Sequence, residues 1–235
     1  MKRSLREWLI RIVILMIGLT VAHLGVTLFL LTDLGSDPFN VLIQGLFRTL
    51  SSLTGWAFLS HGRVHVAVSL LIILILLLTD RSYIKIGTVL CMVCGGPIID
   101  FFTLLLASPF QKMSALPVRI LVLAVGCVIL AYGMTIVIKS DAGTGPNDLV
   151  AIVISDKLHK KFSVVRIVVD VCFVAAGWLL GGTVGVGTIL LVAFSGPCMQ
   201  FFFRLFRFDV TERPNENLAE TAAFLRQHFS GAKSR

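Results

Sequence analysis

Six long apolar runs govern what this chain can fold into: residues 8 to 32, 64 to 79, 86 to 106, 119 to 138, 163 to 180 and 184 to 206. A helix needs about 20 largely apolar residues to cross a hydrocarbon layer of roughly 30 Å, and these runs approach or exceed that length. Lipid offers no partners to backbone N–H and C=O groups, so spans must be helices or closed barrels. Barrel strands alternate in polarity, and these runs do not, so helices are expected. Composition agrees, with 56% hydrophobic and 14% charged residues and a mean hydropathy of +0.91, far from the makeup of soluble domains. The sequence therefore predicts an all-α membrane protein of six transmembrane helices, with the lipid bilayer as its first partner. The run after MKRSLREW is too long for a signal-peptide core, and no A-x-A-like site follows, so it reads as a retained span.

Basic residues set the expected orientation, because short loops rich in Lys and Arg stay cytoplasmic. With the N-terminus inside, six crossings leave only Arg48, Arg63, Lys112 and Arg119 of the 21 Lys and Arg residues outside. Both termini are then cytoplasmic. The net charge of +8 is spread over membrane-flanking loops, so it reflects topology, and a nucleic-acid partner is not expected.

Self-comparison shows two copies of one unit. An offset of 108 aligns Arg11 with Arg119, Gly18 with Gly126, Gly25 with Gly133, Thr27 with Thr135, Asp33 with Asp141, Gly35 with Gly143 and Pro38 with Pro146. An offset of 100 then aligns Gly87-Thr88 with Gly187-Thr188, Gly96-Pro97 with Gly196-Pro197, and Phe101-Phe102 with Phe201-Phe202. Three crossings per copy is an odd number, so the second copy must insert from the opposite face. Two inverted three-helix repeats are expected, at 1–106 and 107–207, followed by a cytoplasmic tail at 208–235 in which a short amphipathic helix is expected. Inverted repeats recur in secondary transporters, where the halves exchange conformations to alternate access. That step is an analogy from architecture.

The turns DLGSDPFN (33–40) and DAGTGPND (141–148) follow the first span of each copy. Gly35 and Gly143 permit a sharp reversal. Asp37 before Pro38 is a helix start, with the carboxylate as N-cap and proline at the first helical position. In the second copy Gly145 precedes Pro146, with Asn147 and Asp148 in the first turn, where they favour the helix dipole. The helix from Pro38 to Leu50, about 20 Å at 1.5 Å per residue, is too short to span, and its counterpart stops at Asp156-Lys157. A half-helix is therefore expected in each copy, its N-terminus aimed inward. The candidate solute-binding residues are Asp33, Ser36, Asp37, Asn40, Asp141, Thr144, Asn147 and Asp148. Asp100 and its counterpart Gln200, each just past a Gly-Pro in a span, join them, since proline frees a helix carbonyl and polar groups in spans raise a functional hypothesis.

Other polar residues in the spans have plainer readings. Asp170 lies one turn beyond Arg166 and is expected to pair with it. His23 is expected to bond a carbonyl, although it could relay protons. Cys91 and Cys94 have C-x-x-C spacing inside a span without a second pair, so packing is expected. Gly181, Gly182, Gly185 and Gly187 suit close helix approach.

The stretches GLTVAHLGVTLFLLTDLGSDPFNVLIQGL and AYGMTIVIKSDAGTGPNDLVAIVI resemble the YczE/YyaS/YitT-like family of bacterial membrane proteins, of the YczE type, over about residues 8 to 206. The resemblance implies a multi-pass protein of the bacterial cytoplasmic membrane and supplies no ligand residues. No Walker motif, H-E-x-x-H or G-x-S-x-G appears, so no enzyme activity, metal or cofactor is expected. The favoured expectation is a transporter or permease for a small solute or coupling ion, with a homo-oligomer as a further partner state. The alternative is a membrane accessory protein acting through its loops and tail.

Overall fold

Eight α-helices follow one another in the computed structural model, which describes residues 5–111, 115–160 and 162–206. They are α1 (Leu5–Thr32), α2 (Pro38–Thr54), α3 (His61–Thr79), α4 (Ile86–Gln111), α5 (Leu116–Ser140), α6 (Pro146–Lys157), α7 (Phe162–Leu179) and α8 (Val186–Leu205). A 3-10 turn at Arg81–Tyr83 joins α3 to α4. No strand occurs among the described residues. Four stretches are long and apolar enough to cross a membrane: Arg6–Thr32, His61–Thr79, Ile86–Ser108 and Leu116–Ser140. The expected amphipathic helix at 208–235 lies outside the described residues.

The short helices start as the turn chemistry dictates. Asp37 holds extended backbone before Pro38 and accepts the Asn40 N–H, while Gly145 precedes Pro146 without a side-chain cap. α2 outruns its expected end at Leu50. It continues to Thr54, where Gly55 at φ +65° takes the left-handed C-cap and returns its N–H to the Ser51 carbonyl. At 17 residues it is about 25 Å long, still under a full span.

α1 and α5 form the spine and run antiparallel. Gly18 lies against Val137, Ala22 against Gly133, and Gly25 against Leu130 and the Gly126 carbonyl. Lipid tails are as apolar as leucine, so burial of oil against oil does not hold membrane helices together; close backbone approach through small residues does. α4 packs on α1, and α8 on α5. α3 lies against α4 through Gly62 and Gly96. α2 crosses the end of α7, with Gly45 on Gly177 and Val41 on Gly177 and Gly182. α6 sits between α7 and α3, where Leu149 and Val153 pack with Ile73, Leu76 and Ile84.

The distribution of polarity is the reverse of a water-soluble fold. Large apolar side chains cover the exterior, Leu78 at 89% and Leu104 at 82% exposure among them. Thr27, Thr32, Ser36, Asn40, Gln44, His65, Ser69, Thr88, Thr135 and Ser140 are buried. Such an exterior is unstable in water and at ease in lipid.

Two matching reversals tie the chain together. Asp33 (φ +49°) and Gly35 (φ +112°) turn the chain after α1, and Asp141 (φ +53°) and Gly143 (φ +147°) do the same after α5. The Gly187 N–H donates to the Leu34 carbonyl at 2.8 Å, and the Gly87 N–H to the Ala142 carbonyl at 2.9 Å. Those partners are equivalent positions of the two sequence copies. Each reversal thus rests on the opening turn of a helix from the other copy, where a Cβ on Gly35 or Gly143 would run into Thr188 or Gly87.

Candidate functional site

Arg166, one turn into α7, is the hub of a half-buried charge cluster. Its guanidinium donates to Asp148 in the first turn of α6 at 2.5 Å and to Asp170 on its own helix at 2.9 Å. Its charge also acts on Asp37, the N-cap of α2. The charge of one guanidinium therefore reaches the starts of both short helices, by direct contact at α6 and at longer range at α2, although α2 and α6 lie 108 residues apart in sequence. Both helix N-termini carry partial positive charge, and Asp37 and Asp148 complement it. Asn147 donates to Asp148 at 3.1 Å.

Asp37 is held without a direct ion pair. Its carboxylate accepts the Asn40 backbone N–H at 3.2 Å, the Asn40 side-chain amide at 2.8 Å and the Ser36 hydroxyl at 3.3 Å. With its amide spent on Asp37, Asn40 turns its oxygen to His61 Nε2 at 2.9 Å, which must then carry the proton. Hydrogen bonds to a charged group contribute about 1.5–3 kcal/mol each, so several of them offset much of the cost of burying this carboxylate.

Asp100 does something the sequence did not indicate. Its carboxylate accepts the Gly62 N–H at 2.9 Å and the Ser60 hydroxyl at 2.5 Å, so it caps the start of α3 from across the α3–α4 crossing. Helix starts leave N–H groups without intrahelical partners, and here a neighbouring span supplies the acceptor.

The remaining candidates divide. Ser36 is buried beside Asp37. Asp33 is 59% exposed at the first reversal, where it accepts from Arg48 at 3.2 Å and Thr183 at 2.9 Å, away from the central cluster. Asp141 stands at the other reversal, paired with Arg11 at 3.0 Å and Lys85 at 3.4 Å beside a small crevice lined in part by Trp8 and Ile12. Thr144 is half-buried in that reversal. The Gln200 side chain lies outside the described residues. The structure thus joins Asn147 and Asp148 to Arg166, joins Ser36, Asp37 and Asn40 in a second group at the start of α2, and assigns Asp33 and Asp141 to holding the turns. Arg119 takes part in the first turn as well, donating from Nε to the Thr32 carbonyl at 2.7 Å and so closing the negative end of α1.

Three of the sequence readings of single residues hold. Arg166 and Asp170 pair, His23 Nδ1 meets the Leu19 carbonyl at 2.8 Å, and Cys91 packs in the α1–α4 core with Leu15 and Leu19. No cluster of three or more His, Cys, Asp or Glu side chains suited to a metal occurs among the described residues. Sequence reasoning missed His61, His65 and the reach of Arg166 to both short helices. The i, i+4 spacing of the two histidines on α3 was the available signal.

A chain whose described residues are all helix and loop, with four membrane-length helices among them and an exterior of large apolar side chains, is an integral membrane protein. It belongs to the family of unknown function DUF6198, whose model matches residues 9–204 and so takes in both sequence copies. The chain is similar to the uncharacterized membrane protein YczE of Bacillus subtilis, with 29% identity over 185 residues, covering 78% of this chain and 81% of that protein. It is also similar to an uncharacterized protein of Haemophilus influenzae, with 28% identity over 195 residues, covering 82% and 83% of the two chains. The uncharacterized protein YyaS of Bacillus subtilis is 24% identical over 187 residues, covering 79% and 89%. No solved structure matches the chain.

Proposed function

We propose that this protein is a small-solute transporter or permease of the bacterial cytoplasmic membrane, built as six spans in two inverted repeats. The observation that carries the reading is a part-buried set of ionisable groups at the starts of both short helices, with Arg166 bonded to Asp148 and Asp170 and its charge reaching Asp37 without direct contact. Ionisable groups inside a membrane protein are expensive, and discontinuous helices aimed at them form the solute and ion sites of secondary transporters. The antiparallel α1–α5 spine and the exchanged bonds of Leu34 with Gly187 and Ala142 with Gly87 support the inverted arrangement. In this reading α7 and α8, about 27 and 30 Å long at 1.5 Å per residue, are the fifth and sixth spans, and both termini are cytoplasmic.

Asp148 and Asp170 pair with Arg166 while Asp37 stands without a direct ion pair, and an acidic side chain so placed at the start of α2 favours a cationic or amine solute over an anion. No catalytic step belongs to this reading. Flux of a broad panel of radiolabelled amines, cations, amino acids and carboxylates into proteoliposomes is the test. Wild-type protein should carry at least one of them, and Asp37→Asn, which keeps the size and one acceptor but loses the charge, should lower that flux about 10- to 100-fold, as expected for losing one charged contact. Wild type and Asp37→Asn alike failing on every solute would exclude transport.

A further inference from the structure

Three of the chain's five histidines gather inside the helix bundle, and their nitrogens are disposed in a particular way. His23 on α1 places Nδ1 2.8 Å from the Leu19 carbonyl. A carbonyl only accepts, so Nδ1 carries the proton and Nε2 is left as a lone-pair base. That Nε2 faces α4 at Gly95, the one residue type that leaves room: a Cβ there would lie 2.8 Å from His23 Nε2 and 3.1 Å from His65 Cε1. His65 stands across the same gap, its ring edge-on to His23 with centroids 5.8 Å apart. It is 6% exposed, and its Nδ1 has no hydrogen-bond partner. An unpaired buried nitrogen costs about 1–3 kcal/mol, which a purely structural histidine would avoid by bonding as His23 and His61 do. One turn along α3, His61 donates through Nε2 to Asn40, which donates in turn to Asp37. The open His23 Nε2 and the unpaired His65 Nδ1 thus stand one helical turn from His61, where a bonded series begins that runs through Asn40 to the carboxylate at the start of α2.

We infer that this imidazole set is the binding site of a coupling proton, taken up at the His23–His65 gap and sensed at Asp37 through His61 and Asn40. The inference rests on the transport reading and names its coupling ion. The proton binds as a Lewis-base adduct at an imidazole nitrogen and leaves the same way, so no oxidant or co-reactant is involved. The titratable groups that face the set are His23 of α1 and His61 of the same helix as His65, with Asp100 of α4 acting on His61 and Asp37 of α2 reached from His61 through Asn40. Phe39, 5.4 Å from the His65 ring, and the α1–α4 packing around Leu19 and Cys91 bound the set with apolar walls.

Two measurements on the full chain test this. The first is imidazole nitrogen NMR of histidine-labelled protein in nanodiscs, with exposed His159 as the reference. His23 and His65 should change protonation between about pH 5 and 8, and their interaction should be visible as a midpoint shift of about one pH unit or more at His23 when His65 is replaced by Asn. Gly95→Ala, which fills the gap without removing an imidazole, should produce a shift as well. Imidazoles that stay neutral across that window, or a His23 midpoint indifferent to both variants, would overturn the inference whatever the protein carries. The second measurement is flux of the carried solute under a gradient of about one pH unit, worth up to tenfold in accumulation per proton. Wild type should respond to the gradient, while His65→Asn should lose that response. Solute flux that ignores the gradient in wild type would remove the coupling and leave transport standing. Titrating imidazoles with no flux of any solute would instead remove the transport reading, and the coupling with it.

Discussion

At the scale of single residues, the cluster is organised by unequal charge. Arg166 holds Asp148 and Asp170 by direct hydrogen bonds, while Asp37 depends on Asn40 and Ser36. Removing one member of a buried pair strands its partner's charge and costs about 3–5 kcal/mol, more than the pair itself contributes. Arg166→Met should therefore destabilise the protein by about that much, read as a large drop in thermal unfolding temperature in detergent. Adding Asp148→Asn and Asp170→Asn to the same chain should recover most of the loss, because the orphaned charges are gone. If the single and triple variants unfold alike, Arg166 is not the structural hub described here. The sequence pointed to Asp37 and Asp148 because capping chemistry is local and leaves a local pattern. It did not reveal that Arg166 serves both, nor that Asp100 caps α3, because those contacts join helices whose relative placement no short motif encodes.

At the scale of elements, the two short helices are equivalent in sequence and unequal in packing. α2 beds on α7 through Gly45, Gly177 and Gly182, and adds three bonds to the chain end of α7: Thr49 to the Leu180 carbonyl at 2.7 Å, Arg48 to the Gly181 carbonyl at 2.9 Å, and the Thr183 N–H to Gln44 at 2.7 Å. α6 has Val153 in the place of Gly45, and it meets α3 through larger side chains, Ile73 and Leu76. Backbone contact at glycine permits no give, whereas a branched aliphatic contact can slide and repack. α2 is thus the fixed short helix and α6 the one whose contacts allow displacement. Gly177→Leu places a side chain where the α2 backbone now lies. It should cost about 3 kcal/mol or more in stability, at or above the usual range for overpacking, and release the α2 start from Arg166. The change on the looser side, Val153→Leu, adds one methylene and should cost about 1 kcal/mol, the low end of the overpacking range, since neighbouring aliphatic side chains can repack around it. Thermal unfolding of the two variants compares them directly, and equal losses would show that the crossings do not differ. Of the glycines that the sequence suggested as close-approach positions, Gly182, Gly185 and Gly187 are so, while Gly181 meets nothing within 4 Å and serves the turn at φ +86°; the partners, Val41 for Gly182 and Leu34 for Gly187, were not legible.

At the scale of the whole molecule, the inverted reading turns on which face each short helix reaches. α1 and α5 run antiparallel through alternating glycine contacts, and each reversal lodges on a helix start from the other copy. An offset comparison of the sequence exposed the two copies because Gly, Pro and Asp at turns are demanded by backbone conformation. The helix pairing was hidden from it because apolar faces carry no partner label in lipid. If the copies insert in opposite senses, the C-terminal ends of α2 and α6, at Thr54 and Lys157, lie on opposite faces of the membrane. A chain with its native cysteines replaced and a single cysteine introduced by Thr54→Cys or Lys157→Cys separates the cases. In intact cells, an impermeant thiol reagent should label the position at 54 before lysis and the position at 157 only after lysis. Charge predicts the same order, because Lys157, Lys160 and Lys161 surround the second site and the positive-inside rule keeps such a loop cytoplasmic. Labelling of both positions from outside would mean that the copies enter from one face. The two short-helix starts could not then approach Arg166 from opposite sides of the bilayer, and the case for a shared solute site between them would be lost.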